Sequence, residues 1–314
     1  MVAAGWIGSL TEMNEIDQLN RTVELIKQAE GEYAPDLVFA CSFGAEDVVL
    51  FDLQDVGVRF YTYISTLTLV MEACAENNIP LIVLDRPDPN GFYVDGPILK
   101  PKFASFVGMY PVPVVYGMTI GEYARMVNGE HWLKNGVTCD LTVIPLKHYT
   151  HNMMVKLPVK PSPNLPDWKA VYLYPSLCFF EGTIVSVGRG TDKPYQIYGY
   201  PGMNGNYVFT PRSTPGASLH PKLENKTSRG EDLTAFAENY RKNPPQLHLQ
   251  WLLRAYHELS GKQTFFTHYF DKLAGTDQLS KQIEAGFTEA QIRQSWQKDL
   301  QKFKKIRVKY LLYK

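Results

Sequence analysis

VVLFDLQDVG, residues 48–57, is an apolar run that ends on Asp52, Asp55 and Gly57, and its reading decides the fold. A short Val/Leu/Phe run closed by Asp and Gly reads as a buried strand running into a loop. Residues 58–78 resume helical periodicity and stop at Asn77-Asn78, before Pro80. LIVLD, at 81–85, is again a strand by composition, and it breaks into RPDPNG. Downstream come PVPVV at 111–115, a helix from about Thr119 to Asn128, and a strand CDLTVIPL at 139–146. Upstream, residues 11–30 place Ile16, Leu19, Val23 and Ile26 near helical spacing, and DLVFACSF at 36–43 is a short β-rich run. This alternation predicts an α/β fold, a parallel sheet with helices on its faces.

After about residue 147 the character changes. Segment 156–220 is rich in Pro, Gly and Tyr and is expected to form strands and ordered loops. Helical patterns return in DLTAFAENYRK from 232, in LQWLLRAYHEL from 249, and in the last stretch from Thr288, whose basic residues gather toward its end. The expected division is an N-terminal domain at 1–146 and a C-terminal α+β domain at 147–314.

Bulk composition removes several function classes. Lys+Arg and Asp+Glu both number 32, so no net field points to nucleic acid or an anionic membrane. No apolar run is long enough to span a bilayer, and the segment MVAAGWIGSLTEMNEIDQ is too short and too acidic to read as a signal peptide. Cys41, Cys74, Cys139 and Cys178 are widely spaced without metal-ligand patterns, so buried thiols are expected and no metal. The 19 Tyr and 16 Phe suit both cores and sugar-binding clefts.

Candidate chemistry gathers in a few segments. In FDLQDVGVRFYTY, Asp55 stands where α/β sheets bind ligands, Arg59 is four residues on and able to pair with it, and Tyr61 follows. A capping Asp with a surface ion pair is the plainer alternative. In LDRPDPNG, Asp85, Arg86 and Asn90 lie on a loop stiffened by Pro87 and Pro89. Glu122, three residues behind Thr119, has the spacing of an N-terminal capping box. Glu181 follows Phe179 and Phe180, which predicts a partly desolvated, acid-competent carboxyl. Arg189 lies between Gly188 and Gly190, open to an anion, with a loop salt bridge as the alternative.

Taken in order, QDVGVRFYTY, LDRPDPNG, FVGMYPVPVVYGMTIGE, LPVKPSPNLP, YPSLCFFEGTIVSVGRGTDKP and FDKLAGTDQL closely resemble the exo-β-N-acetylmuramidase (NamZ-type) family over about residues 51–314. The resemblance implies a Rossmann-like N-terminal domain and a smaller C-terminal domain with the active cleft between them. It implies hydrolysis that releases terminal, non-reducing N-acetylmuramic acid from peptidoglycan fragments, without a cofactor. It also implies action in the periplasm or outside the cell, whereas the chain as written would stay in the cytoplasm. On this reading Glu181 is the general acid, Asp55 the base or stabiliser, and Glu122 a third carboxyl. Arg86 and Arg189 are candidates for the lactyl carboxylate, with Arg59, Tyr61, Asp85, Asn90 and Asn164 as further substrate contacts.

The front end departs from that family, whose Gly-Pro-Glu-His segment with a candidate catalytic glutamate is absent. Residues 12–50 instead resemble the start of a phosphoadenylyl-sulfate reductase, with Ser42, Gly44, Glu46 and Asp47 in its nucleotide loop, but without that family's nucleophilic cysteine segment. Two alternative functions follow: a non-catalytic binder of muramyl sugars, and a sulfonucleotide-binding hybrid.

Overall fold

A computed structural model describes residues 48–261 and 264–313. The expected helix at 11–30, the DLVFACSF run and the reductase-like loop all lie outside the described residues.

Strands β1 (Val49–Phe51), β2 (Leu81–Leu84) and β3 (Leu141–Ile144) form a parallel sheet in the order β1-β2-β3. Phe51 stands opposite Val83, which in turn faces Val143. Helix α1 (Tyr63–Asn77) makes the first crossover and α2 (Ile120–Gly129) lies on the second. This is the α/β layer that the strand–helix alternation predicted, in keeping with the Rossmann-like domain that the resemblance implies. Phe51, Leu67, Met71, Leu81, Val83, Tyr123 and Val127 fill its core, each essentially solvent-free. Such burial contributes about 1.5–3 kcal/mol per large side chain. The thiols of Cys74 and Cys139 lie in the same core, and all three described cysteines are free and buried.

The expected division after residue 146 falls just past Ile144, on a long connection. That connection leads to α3 (Trp168–Leu177), followed by a 3-10 turn at Cys178–Gly182. The segment 156–220 was expected to hold strands and loops only, so α3 is a correction. Eight of its residues, Ala170–Leu177, are buried in succession, which leaves no polar stripe for periodicity to reveal. Its interior Pro175 disguised it further. A small antiparallel sheet follows, with β4 (Ile197–Tyr200) and β5 (Tyr207–Phe209) on either side of β6 (Ser228–Asp232). The remaining helices are α4 (Thr234–Glu238), α5 (Gln250–Leu259), α6 (Phe270–Ala274), α7 (Gln278–Glu284) and α8 (Glu289–Arg307). Thr288 and Gln291 form a capping box that starts α8, and Lys304, Lys305 and Arg307 occupy its last turn.

The larger core joins the two layers. Val56, Val58 and Phe60 from the loop after β1 pack with Phe179, Phe180, Trp251 and Phe270. After α8 the chain returns to the parallel sheet. Arg307 Nε donates to the Gly117 carbonyl at 2.8 Å, and Tyr310 OH donates to Glu130 Oε1 at 2.7 Å.

Candidate active site

The acidic edge of the parallel sheet forms first. Asp55 follows β1, Asp85 follows β2, and Glu122 opens α2; all three are buried. Glu122 completes the capping box with Thr119, its Oε2 accepting from Thr119 N at 3.0 Å. Its Oε1 accepts from the backbone amides of Leu312 (2.7 Å) and Tyr313 (3.2 Å), and His151 Nε2 lies 3.0 Å away. Asp85 Oδ2 accepts from Thr119 Oγ1 at 2.7 Å and Tyr313 OH at 2.5 Å, while Oδ1 accepts from Gly121 N at 2.8 Å. The chain's own tail therefore occupies the edge of β2 and β3, where an open α/β sheet commonly binds a ligand. Burial raises the Asp85 carboxyl above its ordinary range, against the hydrogen bonds from Tyr313 and Thr119.

Asp55 is less satisfied. Its Oδ2 accepts from Tyr116 OH and from Gly57 N, while its Oδ1 is buried without a partner. Burial pushes its carboxyl up to about 6, more than those two hydrogen bonds pull it down. Asp88, which the sequence reading passed over, is equally buried, with Oδ2 unpaired. Burial and then the nearby Asp55 charge raise its carboxyl well above the usual range. Gly57 stands against Asp88 at φ +73°, and a Cβ there would come within 2.1 Å of Asp88 Oδ1. Only glycine fits that close approach in that conformation.

The expected Asp55–Arg59 pair does not form. Residues 55–58 precede any helical turn, so the two side chains share no face. Arg59 is fully buried and donates to the carbonyl oxygens of Pro97 (3.0 Å), Val112 (2.7 Å), Leu273 (3.0 Å) and Ala274 (2.7 Å). Burial lowers its guanidinium to about 9. The bonds from Nη1 and Nη2 hold α6 against the first layer, while Nε is buried without a partner. Arg86 instead forms a bidentate pair with Asp52, both bonds at 2.5 Å, and stays about half exposed. Asn90 Nδ2 donates to the Val56 carbonyl at 2.9 Å and the Val171 carbonyl at 3.3 Å. Val171 is four residues before Pro175, whose missing N–H leaves that carbonyl without its helical partner.

The second cluster lies beyond the far end of α3. Glu181 follows the buried Phe179 and Phe180, but those rings are engaged elsewhere. Phe180 stacks on Tyr198 with centroids 5.0 Å apart, and Phe179 meets Phe60 at 5.8 Å. What meets the Glu181 carboxylate is polar: Tyr195 OH donates to Oε1 at 2.8 Å, and Arg189 Nε lies 2.9 Å from the same oxygen. Glu181 Oε2 and Arg189 Nη1 carry no hydrogen bond among the described residues, and the side chains are 22% and 39% exposed. The pair thus keeps one carboxylate oxygen and one guanidinium nitrogen open.

Aromatic contacts extend this cluster. Tyr195 meets Tyr174 at 4.9 Å, and Tyr174 meets Tyr61 at 5.9 Å. Tyr61 OH donates to the Pro161 carbonyl at 2.7 Å, holding the loop that carries Asn164. Asn164 Nδ2 is spent on the Ala217 carbonyl at 2.8 Å. Tyr61, Glu181 and Arg189 are therefore brought together with the Asn164 loop, whereas Asp55, Asp85, Asn90 and Glu122 belong to the sheet edge. Asn90 pins the Asp55 loop to Val171 in α3. Among the described residues no three His, Cys, Asp or Glu side chains are grouped as metal ligands, and no helix is long and apolar enough to cross a membrane.

A parallel αβ layer with a smaller α+β layer, carrying a carboxylate–guanidinium pair in an aromatic surround, defines a two-part α/β protein suited to a polar, sugar-like ligand. The chain belongs to the exo-β-N-acetylmuramidase NamZ family: the family's N-terminal model matches residues 40–169 and its C-terminal model residues 172–313. The match begins at residue 40, ahead of Phe51, so part of the DLVFACSF run lies inside it. The chain is 40% identical to the Bacillus subtilis protein named peptidoglycan beta-N-acetylmuramidase NamZ, over 85% of this chain and 67% of that one. Two solved structures of DUF1343 family proteins from Bacteroides fragilis share the fold. One has a TM-score of 0.81 at 50% identity and the other 0.68 at 25%, each covering 85% of this chain and 75% of its own.

Proposed function

We propose that this chain is an exo-β-N-acetylmuramidase, a glycoside hydrolase that releases terminal, non-reducing N-acetylmuramic acid from peptidoglycan fragments. The observation that carries the reading is the 40% identity to the Bacillus subtilis muramidase across most of the chain. Locally it is supported by the Glu181–Arg189 pair and its open oxygen and nitrogen. In this reading Glu181 Oε2 works at the glycosidic oxygen, and Arg189 Nη1 takes the lactyl carboxylate that distinguishes muramic acid from glucosamine. Arg86, half exposed on the sheet edge, is the second candidate for that anion. Asp55, whose Oδ1 has no partner, is the candidate base or stabiliser, and Glu122, hydrogen-bonded within the sheet edge, is the third carboxyl. Residues 1–146 and 147–314 are the proposed domains, and the cell envelope or the space outside it is the proposed place of action.

Mass spectrometry of a muramyl-glucosamine disaccharide incubated with the protein tests the reading. Free muramic acid is expected, with a loss of about 100-fold or more in Glu181→Gln; no release from the wild-type chain overturns it.

One observation favours a second reading, binding without turnover: the family's Gly-Pro-Glu-His segment, with its candidate catalytic glutamate, is absent from the sequence. Calorimetric binding of the disaccharide without cleavage is its signature. The sulfonucleotide reading of residues 12–50 is a separate proposal, tested by titration with adenosine 3′,5′-bisphosphate.

A further inference from the structure

Tyr195 is buried in an unusual conformation. Its backbone φ is +55° and only 1% of its surface is exposed. A left-handed non-glycine residue costs about 1 kcal/mol or more, so the surrounding packing holds it there. The ring stands edge-on to Tyr174 at 4.9 Å, which fixes where the hydroxyl points. That hydroxyl donates to Glu181 Oε1 at 2.8 Å and accepts from Arg189 Nε at 3.2 Å and Nη2 at 3.0 Å. One phenol therefore orients both members of the pair.

The backbone beneath Glu181 is pinned independently. Lys222 Nζ donates to the carbonyl oxygens of Phe180 (2.8 Å), Glu181 (3.2 Å) and Thr183 (2.6 Å). With three donors on three carbonyls, the ammonium is saturated. The turn at Cys178–Gly182 is thus fixed from below by Lys222, and the carboxylate from the side by Tyr195.

We propose that Tyr195 is a positioning residue for Glu181. Its hydroxyl anchors Oε1 against Arg189, which leaves Oε2 as the one oxygen presented to the sugar. The proposal rests on the muramidase reading above for its catalytic consequence, although the anchoring itself does not.

Tyr195→Phe removes the hydroxyl and keeps the ring against Tyr174. In turnover of a muramyl-glucosamine disaccharide, kcat is expected to fall about tenfold with KM within about twofold. The alkaline limb of the pH–rate profile, set by loss of the proton from the general acid, is expected to move to higher pH, because a donor to the carboxylate is lost. In the Glu181→Gln background the same change is expected to add no further loss. Carboxyl-carbon NMR titration of the two proteins, with Glu181 assigned by Glu181→Gln, reads the anchoring without turnover; its midpoint is expected to rise in Tyr195→Phe. An unchanged Glu181 titration overturns the proposal even if the chain is an active muramidase. A displaced titration in a chain that releases no muramic acid upholds the anchoring and overturns the hydrolase reading instead.

Discussion

Asn90 donates its side-chain amide to the carbonyl of Val171 at 3.3 Å, the carbonyl that Pro175 leaves without a helical partner. The same amide holds Val56 at 2.9 Å, so one side chain ties the loop after β1 to α3. Asn90→Ala is expected to cost about 1–3 kcal/mol, since buried carbonyls lose their donor. Pro175→Ala returns an N–H to Val171, so the cost of Asn90→Ala is expected to shrink by about 1 kcal/mol in that background. Urea unfolding of the four proteins of the cycle measures it; equal costs in both backgrounds would refute the link.

Arg59 reaches carbonyls in two separate regions, at Pro97 and Val112 and at Leu273 and Ala274. Gly275 makes room for it at φ +73°, with Nη2 only 2.7 Å from where a Cβ would lie. Lysine keeps the charge but concentrates its donors at one point. Arg59→Lys is expected to destabilise the fold by about 3 kcal/mol or more, read as a fall in Tm.

The sheet edge makes stability depend on pH. Burial raises Asp55 from 3.8 to about 6, so the folded chain holds that proton more tightly than the unfolded one. Its contribution is complete below pH 3.8 and is lost as pH rises through about 6. The difference is worth about 3 kcal/mol. Asp85 and Asp88 act in the same direction. His248, which burial lowers to about 4, acts in the opposite one. Asp55→Asn leaves those three groups in place. Relative to wild type it is expected to gain on the order of 2–3 kcal/mol between about pH 4 and 7. Parallel denaturant titrations across that range would show the two proteins diverging; curves that stay parallel would remove Asp55 as the cause.

Arg189 presents one unpaired nitrogen beside Glu181. Arg189→Ala is expected to lower the preference for a muramyl over a glucosaminyl terminus by about 10- to 100-fold, the worth of a charge-assisted hydrogen bond. Competing the two substrates in one assay measures it, and an unchanged preference would move the anion contact to Arg86.

Tyr313 OH donates to Asp85 and accepts from Leu146 N, at 2.5 and 2.9 Å. Tyr313→Phe keeps the ring against Tyr149, which lies 5.0 Å away, and loses both bonds. A loss of about 1–3 kcal/mol is expected in thermal unfolding. A change within about 0.5 kcal/mol would mean that the tail does not lock the edge.

Much of this was legible in the sequence because local patterns carry it. The runs around Phe51, LIVLD and CDLTVIPL read as strands because β-rich apolar residues closed by Asp or Pro have few other buried solutions. The Thr119–Glu122 spacing announced its capping box, and the ordered motifs placed the chain in its family. Helix α3 was hidden, since a helix buried on every side shows no stripe. The partners of each polar group were hidden too. Nothing near Glu122 in sequence foretells Leu312 and Tyr313, and nothing near Arg59 foretells Leu273. A buried charge takes whichever donors or acceptors the packed chain delivers, and those came from some 190 and 214 residues away. Sequence alone thus determined the αβ layer, the family and the residue types at the site. Tertiary packing decided which carboxyls were closed off by Leu312 and Tyr313, and that the paired Glu181 and Arg189 each kept one atom open.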